Sequence, residues 1–527
     1  MTAADAVTTT PAPAPTDPTA DRVQAERPTP GTPSPYEFPA VADTRLPNGL
    51  RILAVDLPGR PLVSASLILR NGAVDEPADQ AGATVLAARA LSEGTERYDA
   101  MALLEAAERL GASIHAEAGW DAFNVGVDVP RDRLEAALDL LAEVVLHPTF
   151  PEHEVDRLRD ERLNDLLQAA ADPRRRAEEA FIETIYAEEA PYHRPSGGTR
   201  ETVERIGAAE LRRAYERGLD PSRATFVIGG ELAGLDIPTT VERLFGAWRA
   251  SPSVVPSGDL VDTAARDERI VRVIHRPGAV QSEIRIGHRG LSRQIEDFHA
   301  VSVMSAILGG LFNSRLNMNL REEKGYTYGA GAGFDLRRGA GPFSARAAVN
   351  TEVTMPAIHE FLSEITRMRD EQITDAELKA ARDFLVGVFP LRFETAGAVV
   401  GALAGLVIHE LDVEEIVNYR RSIEAVTVAD VADAARRHLD LDRAAIVVVG
   451  DADAFGEALE AAGIGPVVVE RDEGPVALGP IPTEEEVGPV DDPEASGPTA
   501  GAEDTDLAGT LDEPVTSELG AGSSEER

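Results

Sequence analysis

The chain has 527 residues, of which 43% are hydrophobic, enough for more than one domain with a substantial core. Its formal net charge of -40 disfavours binding to nucleic-acid phosphates or anionic lipid. Cysteine is absent, which excludes disulfides, thiolate metal sites and cysteine nucleophiles, so any metal would need His, Asp or Glu ligands. Nearly all basic residues are Arg, and this acidic balance is expected either of a surface adapted to high salt or of a high-GC genome.

The two ends of the chain have compositions typical of disorder. Residues 1–42 are rich in Pro, Thr and Ala, and residues 466–527 are acidic, rich in Gly and Pro and free of aromatic side chains. The N-terminus lacks the basic start and apolar core of a secretory signal, and no apolar run is long enough to span a bilayer. We therefore expect two disordered tails on a cytoplasmic protein that has no membrane partner.

Between the tails, residues 43–250 show a regular order of elements: strand, turn, strand, helix pair, two alternating strands, long helices and a final strand. A helix is predicted over 98–112, with Asp99 as its N-cap and Gly111 at its end. A hairpin is predicted over 113–130, followed by a helix over 133–148. Residues 251–268 lack a clear period and contain turn formers and charges, which predicts a linker.

The linker separates two halves that resemble each other. RATFVIGGEL (223–232) near the end of the first half matches RAAIVVVGDA (443–452) in the second, and the start of the first half (51–73) matches 272–291 at nearly the same offset. A duplication is the simplest explanation. It predicts an α+β fold of two duplicated domains, 43–250 and 269–465, each a mainly antiparallel sheet covered by helices.

One short stretch in the first half has the outline of a metal-binding helix. GATVLAARALSEGT (82–95), together with RLPNGL (45–50), resembles the insulinase and pitrilysin family of inverted-motif zinc peptidases. That family reads Gly-x-x-His-x-x-Glu-His and then Gly-Thr, with the two His as zinc ligands and the Glu as the base. A catalytic zinc ion needs about three protein ligands and an open position for water.

The resemblance places unsuitable residues at every metal-binding position. Val85 and Arg89 stand where the two His belong, Ala88 stands where the Glu belongs, and the third ligand of the family falls at Asp165. The guanidinium of Arg89 stays protonated and would repel a cation. We therefore expect no metal or other cofactor to be bound by this chain.

The second half keeps a different part of the family pattern. Residues 309–334, GGLFNSRLNMNLREEKGYTYGAGAGF, resemble the C-terminal half of these peptidases, in which an Arg on a helix and a Tyr seven residues later contact bound peptide near the scissile bond. The matching residues are Arg321 and Tyr328. Such donors can hold peptide carbonyls and stabilise charge on a tetrahedral intermediate. Alternatively, Arg321 makes a helix salt bridge and Tyr328 is a half-buried strand aromatic.

The resemblance implies a division of labour between two chains. In bacterial relatives one chain often carries His-x-x-Glu-His and the other the Arg and Tyr, and the two enclose a chamber. This chain resembles the second kind, which implies a homologous zinc-binding partner, zinc held in that partner, and peptide substrates. The alternative is a catalytically inactive scaffold or binding protein with the same fold.

Overall fold

The computed structural model describes residues 35–254 and 264–471. The chain divides into two compact units, Met1–Glu37 and Phe38 onward, and all the helices and strands given below belong to the second. Of the first unit only residues 35–37 are described, without helix or strand. The predicted disorder of residues 1–34 and 472–527 and the centre of the predicted linker, 255–263, lie outside the described residues.

The N-terminal half forms a six-stranded sheet with the order β1-β2-β6-β3-β5-β4. Only the β2–β6 pair is parallel. The central strand β6 is buried along its whole length, as expected of a strand covered on both faces. The strands are β1 (Val41–Arg45), β2 (Arg51–Asp56), β3 (Leu62–Leu69), β4 (Ser113–Ala118), β5 (Phe123–Pro130) and β6 (Ala224–Gly230).

The C-terminal half repeats this sheet with the order β12-β7-β11-β8-β10-β9, which confirms the predicted duplication and the α+β class. Five strands correspond in position and chain order to β2 to β6. The strands are β7 (Ile270–His275), β8 (Gln281–Arg289), β9 (Ala330–Phe334), β10 (Pro342–Asn350), β11 (Ala445–Gly450) and β12 (Val467–Arg471).

The sixth strand corrects the predicted boundary of the C-terminal tail. β12 pairs in parallel with β7, whereas β1 pairs antiparallel with β2 at the equivalent edge. A tail starting at residue 466 was therefore wrong for the five residues of β12. Glu470 on this strand accepts two hydrogen bonds from the guanidinium of Arg272, at 2.7 and 3.0 Å. That ion pair and the backbone pairing with β7 attach the edge strand to the sheet.

Helices cover both sheets. Asp99 caps its helix by accepting a hydrogen bond from the Ala102 amide at 2.8 Å, and Gly111 ends the helix at φ +62°, both as predicted.

In the N-terminal half lie α1 (Ala83–Ala90), α2 (Ala100–Leu110), α3 (Leu134–Leu146), α4 (Glu152–Ala171), α5 (Pro173–Ile185), α6 (Arg200–Val203), α7 (Ala208–Glu216) and α8 (Ile237–Phe245). In the C-terminal half lie α9 (Phe298–Ser305), α10 (Thr354–Asp370), α11 (Asp375–Val388), α12 (Ala396–Ile408), α13 (Glu414–Ala425), α14 (Val428–His438) and α15 (Ala452–Ala461), with π-helical segments at Ala306–Gly310 and Asn317–Glu323.

The two halves exchange one helix each. α5, from the N-terminal half, packs on β8 and β11 of the C-terminal sheet. Reciprocally, α12 of the C-terminal half packs on β3 and β6 of the N-terminal sheet. The boundaries predicted at 250 and 269 therefore separate the strands of the two sheets but not the helices that cover them, which is why the halves form one compact unit.

The loop between β9 and β10 also joins the halves. Its Arg337 is buried, with the guanidinium carbon 4.9 Å from the ring centroids of both Trp120 and Tyr192 of the N-terminal half. The same guanidinium pairs with Asp335 at 2.6 Å. The Tyr192 hydroxyl accepts a hydrogen bond from the Gly339 amide at 3.0 Å, so aromatic stacking and polar contacts both hold the loop in place.

Candidate functional site

The helix that would carry zinc ligands presents none. On α1, Ala88 is fully buried in the hydrophobic core and Val85 is partly buried. Arg89 points outward and pairs with Glu161 of α4 at 2.9 Å, and both side chains are about half exposed. Apolar packing and a surface ion pair therefore occupy the positions at which the family pattern places two imidazoles and a carboxylate.

Asp165 is committed to other partners. Both of its carboxylate oxygens accept hydrogen bonds from Arg175, at 2.7 and 3.1 Å, and it also pairs with Arg162 one helical turn earlier. Partial burial pushes the pKa of Asp165 upward, but the two guanidinium groups outweigh it, so its pKa lies below the ordinary value. An incoming cation would have to displace two arginines from this carboxylate. Zinc does not fit the residues at this position.

Sequence reasoning missed the ion pairs that fill this position. Glu161 and Asp165 lie four residues apart on α4 and therefore share one face of it, toward α1 and α5. The i, i+4 spacing of the two acids, opposite an Arg in the metal helix, was the available signal. The sequence does not show how α4 packs against α1 and α5, so the spacing alone could not predict which arginines bind these two acids.

A second group of possible metal ligands lies at the end of β7. One ligand atom from each of His275, Asp451 and Asp453 comes within 4.8 Å of the others. These groups already have structural partners: the His275 Nδ1 accepts a hydrogen bond from the Ala452 amide at 3.0 Å, and Asp451 accepts one from the Gly278 amide at 2.9 Å. The contacts cap α15 and join it to β7, which accounts for the cluster without a metal.

Arg321 lies on the π-helical segment Asn317–Glu323 of the C-terminal half, and such segments occur frequently at functional sites. Its side chain is 39% exposed, and the guanidinium carbon lies 4.7 Å from the centroid of the Phe312 ring. The nearest carboxylate is that of the neighbouring Glu322, at 3.4 Å. The guanidinium is thus held from one side by an aromatic face and stays accessible from the other.

Tyr328 is the most exposed large hydrophobic residue in the part of the chain that the structure describes. It lies two residues before β9 and is 94% exposed, so it is not the half-buried strand aromatic considered as the alternative. Across residues 35–254 and 264–471 no hydrogen bond, ion pair or ring contact involves its side chain. Phe312, under Arg321, is itself 66% exposed. Arg321 against Phe312, and Tyr328 seven residues after Arg321, therefore each present accessible donor groups that can bind a ligand.

The helix before Arg321 is anchored by a strong ion pair. Arg315 donates two hydrogen bonds to Glu377 at the start of α11, at 2.6 and 3.2 Å. Partial burial tends to raise the pKa of Glu377, but the bonds from Arg315 and Thr374 outweigh it and lower the pKa to about 2. The carboxylate is therefore ionised at neutral pH.

This shift predicts a pH dependence of stability. Because folding lowers the pKa of Glu377, its ionised carboxylate stabilises the folded state. This stabilisation is fully present above the pKa of the unfolded chain, near 4.5, and is lost as the pH falls toward 2. Replacing Glu377 with Gln should lower the free energy of unfolding at pH 7 by about 2 kcal/mol, allowing for solvent screening, and by much less near pH 3. Denaturant titrations of both proteins at the two pH values measure this. An equal loss at both pH values would contradict the assignment.

Two models of one peptidase family match the chain in succession. Residues 51–198 match the model described as "Insulinase (Peptidase family M16)", and residues 205–385 match the one described as "Peptidase M16 inactive domain". The second match contains both Arg321 and Tyr328. The chain belongs to peptidase family M16.

Similar proteins fit this assignment. An uncharacterized zinc protease of Mycobacterium leprae is 26% identical, over 74% of this chain and 87% of its own length. A non-peptidase homolog of Helicobacter pylori is 20% identical, over 74% of this chain and 89% of its own. The crystal structure of a peptidase M16 inactive domain from Pseudomonas fluorescens superposes with a TM-score of 0.72 at 24% identity, covering 78% of this chain and 98% of that one, and so shares the fold.

The apolar helices of this M16 chain are short or bent. Of the helices described, none by itself has the length and apolar character to cross a membrane. One consecutive pair, Asp375–Phe393 with Ala396–Ile408, meets the length and composition criteria but is bent by 114° at its break. The second member of that pair is α12, which packs on the N-terminal sheet.

Proposed function

We propose that this M16 chain is the non-zinc-binding subunit of a heteromeric zinc metallopeptidase. The observation that carries the proposal is the contrast between the two halves: arginine ion pairs and apolar packing fill the metal position, whereas Arg321 and Tyr328 stay accessible. A homologous partner chain carrying His-x-x-Glu-His would hold the zinc and supply the hydrolytic chemistry. No step of that chemistry takes place at Val85, Ala88, Arg89 or Asp165.

In this proposal Arg321 and Tyr328 bind the substrate. The guanidinium offers several N–H donors in a fixed plane. The phenol, two residues before β9, offers one O–H donor. Donors aimed at a peptide carbonyl stabilise the negative charge that develops on its oxygen during hydrolysis. Holding the peptide against the partner's metal also supplies orientation. Peptides that fit into a chamber enclosed by the two chains are the proposed substrates.

A scaffold or binding role is the second candidate, and the name of the Helicobacter pylori relative, a non-peptidase homolog, favours it. A scaffold would associate stably with other chains and would be indifferent to changes at Arg321 and Tyr328. The two candidates therefore differ in the nature of the partner and in the consequence of changing the pair.

The first test is a tagged purification from the native host. Under the proposal, the chain retains a stoichiometric partner of similar size whose sequence contains His-x-x-Glu-His, and the complex contains one zinc ion per pair and hydrolyses peptides. Recovery of the chain alone, or only with proteins lacking that motif, would favour the scaffold role.

Metal removal gives a second prediction about the same complex. A chelator should abolish peptide hydrolysis by the complex, because the zinc is essential in the partner. The thermal unfolding midpoint of this chain alone should stay unchanged by the chelator, because arginine ion pairs rather than a metal join α1, α4 and α5. A chelator-induced fall in the midpoint of the isolated chain would contradict the assignment of zinc to the partner.

A further inference from the structure

One side chain, Asn317, forms hydrogen bonds both to the backbone next to Phe312 and to the backbone that follows Tyr328. Its Nδ2 donates a hydrogen bond to the Leu311 carbonyl at 3.2 Å, and its Oδ1 accepts one from the Ala330 amide at 2.9 Å. The two bonds are partly buried and join segments 19 residues apart in the chain. Asn317 thus attaches the turn before the π-helical segment to the first residue of β9.

Each of these bonds is made to a backbone group within two residues of Phe312 or Tyr328. Leu311 precedes Phe312, whose ring lies 4.7 Å from the Arg321 guanidinium carbon. Ala330 follows Tyr328 by two residues. One end of the Asn317 amide thus bonds to the backbone next to Phe312, and the other bonds to the backbone two residues after Tyr328.

The turn that carries Tyr328 has few other anchors. Gly325 takes a left-handed conformation at φ +65°, and the Tyr326 amide donates to the Leu320 carbonyl at 2.8 Å. Beyond that point, the hydrogen bonds of Thr327 with Gly329 are internal to the turn, at 2.9 and 3.1 Å, and cannot fix it relative to Arg321. The far end of the turn enters β9, where Ala330 pairs with Ala347 of β10, and the bond to Asn317 joins this end directly to the π-helical segment of Arg321.

We propose that Asn317 is a positioning residue that sets Arg321 and Tyr328 relative to each other, an inference that rests on the proposed function of the pair. This role requires a side chain that donates a hydrogen bond to the Leu311 carbonyl and accepts one from the Ala330 amide, and a short carboxamide can do both. An ionised aspartate lacks the donor and an apolar side chain lacks both groups. Misplacing a transition-state donor by about 1 Å costs roughly a hundredfold in rate.

A second asparagine provides a matched control. Asn48, in the turn between β1 and β2, makes the same two kinds of bond in the N-terminal half: its Nδ2 donates to the Phe245 carbonyl at 2.8 Å, and its Oδ1 accepts from the Leu50 amide at 3.2 Å. These bonds are also partly buried. Replacing Asn48 with Ala removes equivalent hydrogen bonds without touching Phe312, Arg321 or Tyr328.

The first measurement needs no partner chain. Hydrogen–deuterium exchange of the Ala330 amide should be accelerated at least tenfold in the free N317A variant, because the acceptor of that amide is gone, and should be unchanged in N48A. Equal exchange of this amide in wild type and N317A would overturn the proposal, since the bond would then not hold the turn.

The second measurement uses the native complex and a library of fluorogenic peptides. N317A should lower kcat roughly ten- to a hundredfold with a smaller change in KM, because it displaces groups that act in the transition state, while N48A should match wild type. If R321A and Y328F lower kcat but N317A matches N48A, the positioning role is overturned and the proposed function stands. If none of these variants changes kcat, the proposed function fails and the positioning role fails with it.

Discussion

Changing Arg321 to Ala or Tyr328 to Phe should lower the turnover of the native complex by roughly 10²- to 10³-fold, the loss typical for removing one donor to a developing oxyanion. The Arg321 change removes a guanidinium held against Phe312, and the Tyr328 change removes only a hydroxyl from a side chain that is 94% exposed. The zinc content of the complex should stay the same, because in the proposed complex the zinc ligands belong to the partner chain.

Arg200 is a suitable control for the arginine. It is exposed, pairs with Glu204 at 2.8 Å and lies in the N-terminal half. R200A should have wild-type turnover, since an isolated surface ion pair contributes about 1 kcal/mol or less to stability and nothing to substrate binding. Measuring kcat, KM and bound zinc for the three variants separates substrate handling from metal loss. Wild-type turnover in both R321A and Y328F would remove the pair from the mechanism.

The largest effect on stability is expected at Arg337. Changing it to Met keeps the apolar bulk between Trp120 and Tyr192 but removes the cation, and leaves Asp335 without its partner at 2.6 Å. Breaking a buried ion pair from one side costs about 3–5 kcal/mol, and the partial exposure of Asp335 places the expected loss near 3 kcal/mol. Denaturant-induced unfolding of the isolated chain measures this loss.

The matched control is Arg369, which also pairs with a nearby acid of the same chain, Asp370, at 2.8 Å, but at the surface. R369M should lower the free energy of unfolding by less than about 1 kcal/mol. Similar losses in R337M and R369M would mean that the aromatic sandwich and the burial of Arg337 add nothing. A change in the denaturant dependence rather than the midpoint would indicate that the variant no longer unfolds in one step.

The sequence was most informative where one local rule decides a feature. Asp99 and Gly111 bound a helix because each satisfies backbone groups at a helix end, and the repeat of two strand motifs was enough to predict two similar sheets. The sequence alone shows that the metal motif has lost ligand residues, because Val85 and Ala88 carry no ligand atoms. Arg321 and Tyr328 were predicted as site residues from the family resemblance and not from their periodicity.

Features that depend on packing were not predictable in the same way. The nearly uniform apolar character of α12 indicates burial, but the sequence does not say that the burying sheet belongs to the other half. β12 is a short run within an acidic segment, and its assignment depends on Arg272, about 200 residues away. Asn317 has no sequence signal of its own, since its role depends on the approach of β9 to the π-helical segment.

The helix exchange also delays the covering of the first sheet while the chain is synthesised on the ribosome. The first sheet is complete once Gly230 has emerged, but the face of β3 and β6 that α12 covers stays bare until about 170 further residues have been made. At ordinary translation rates of about 5–20 residues per second, that delay is roughly ten to thirty seconds. Throughout that interval the nascent chain displays an apolar sheet surface, so its yield in a cell should depend on chaperones that shield the first half until the second arrives.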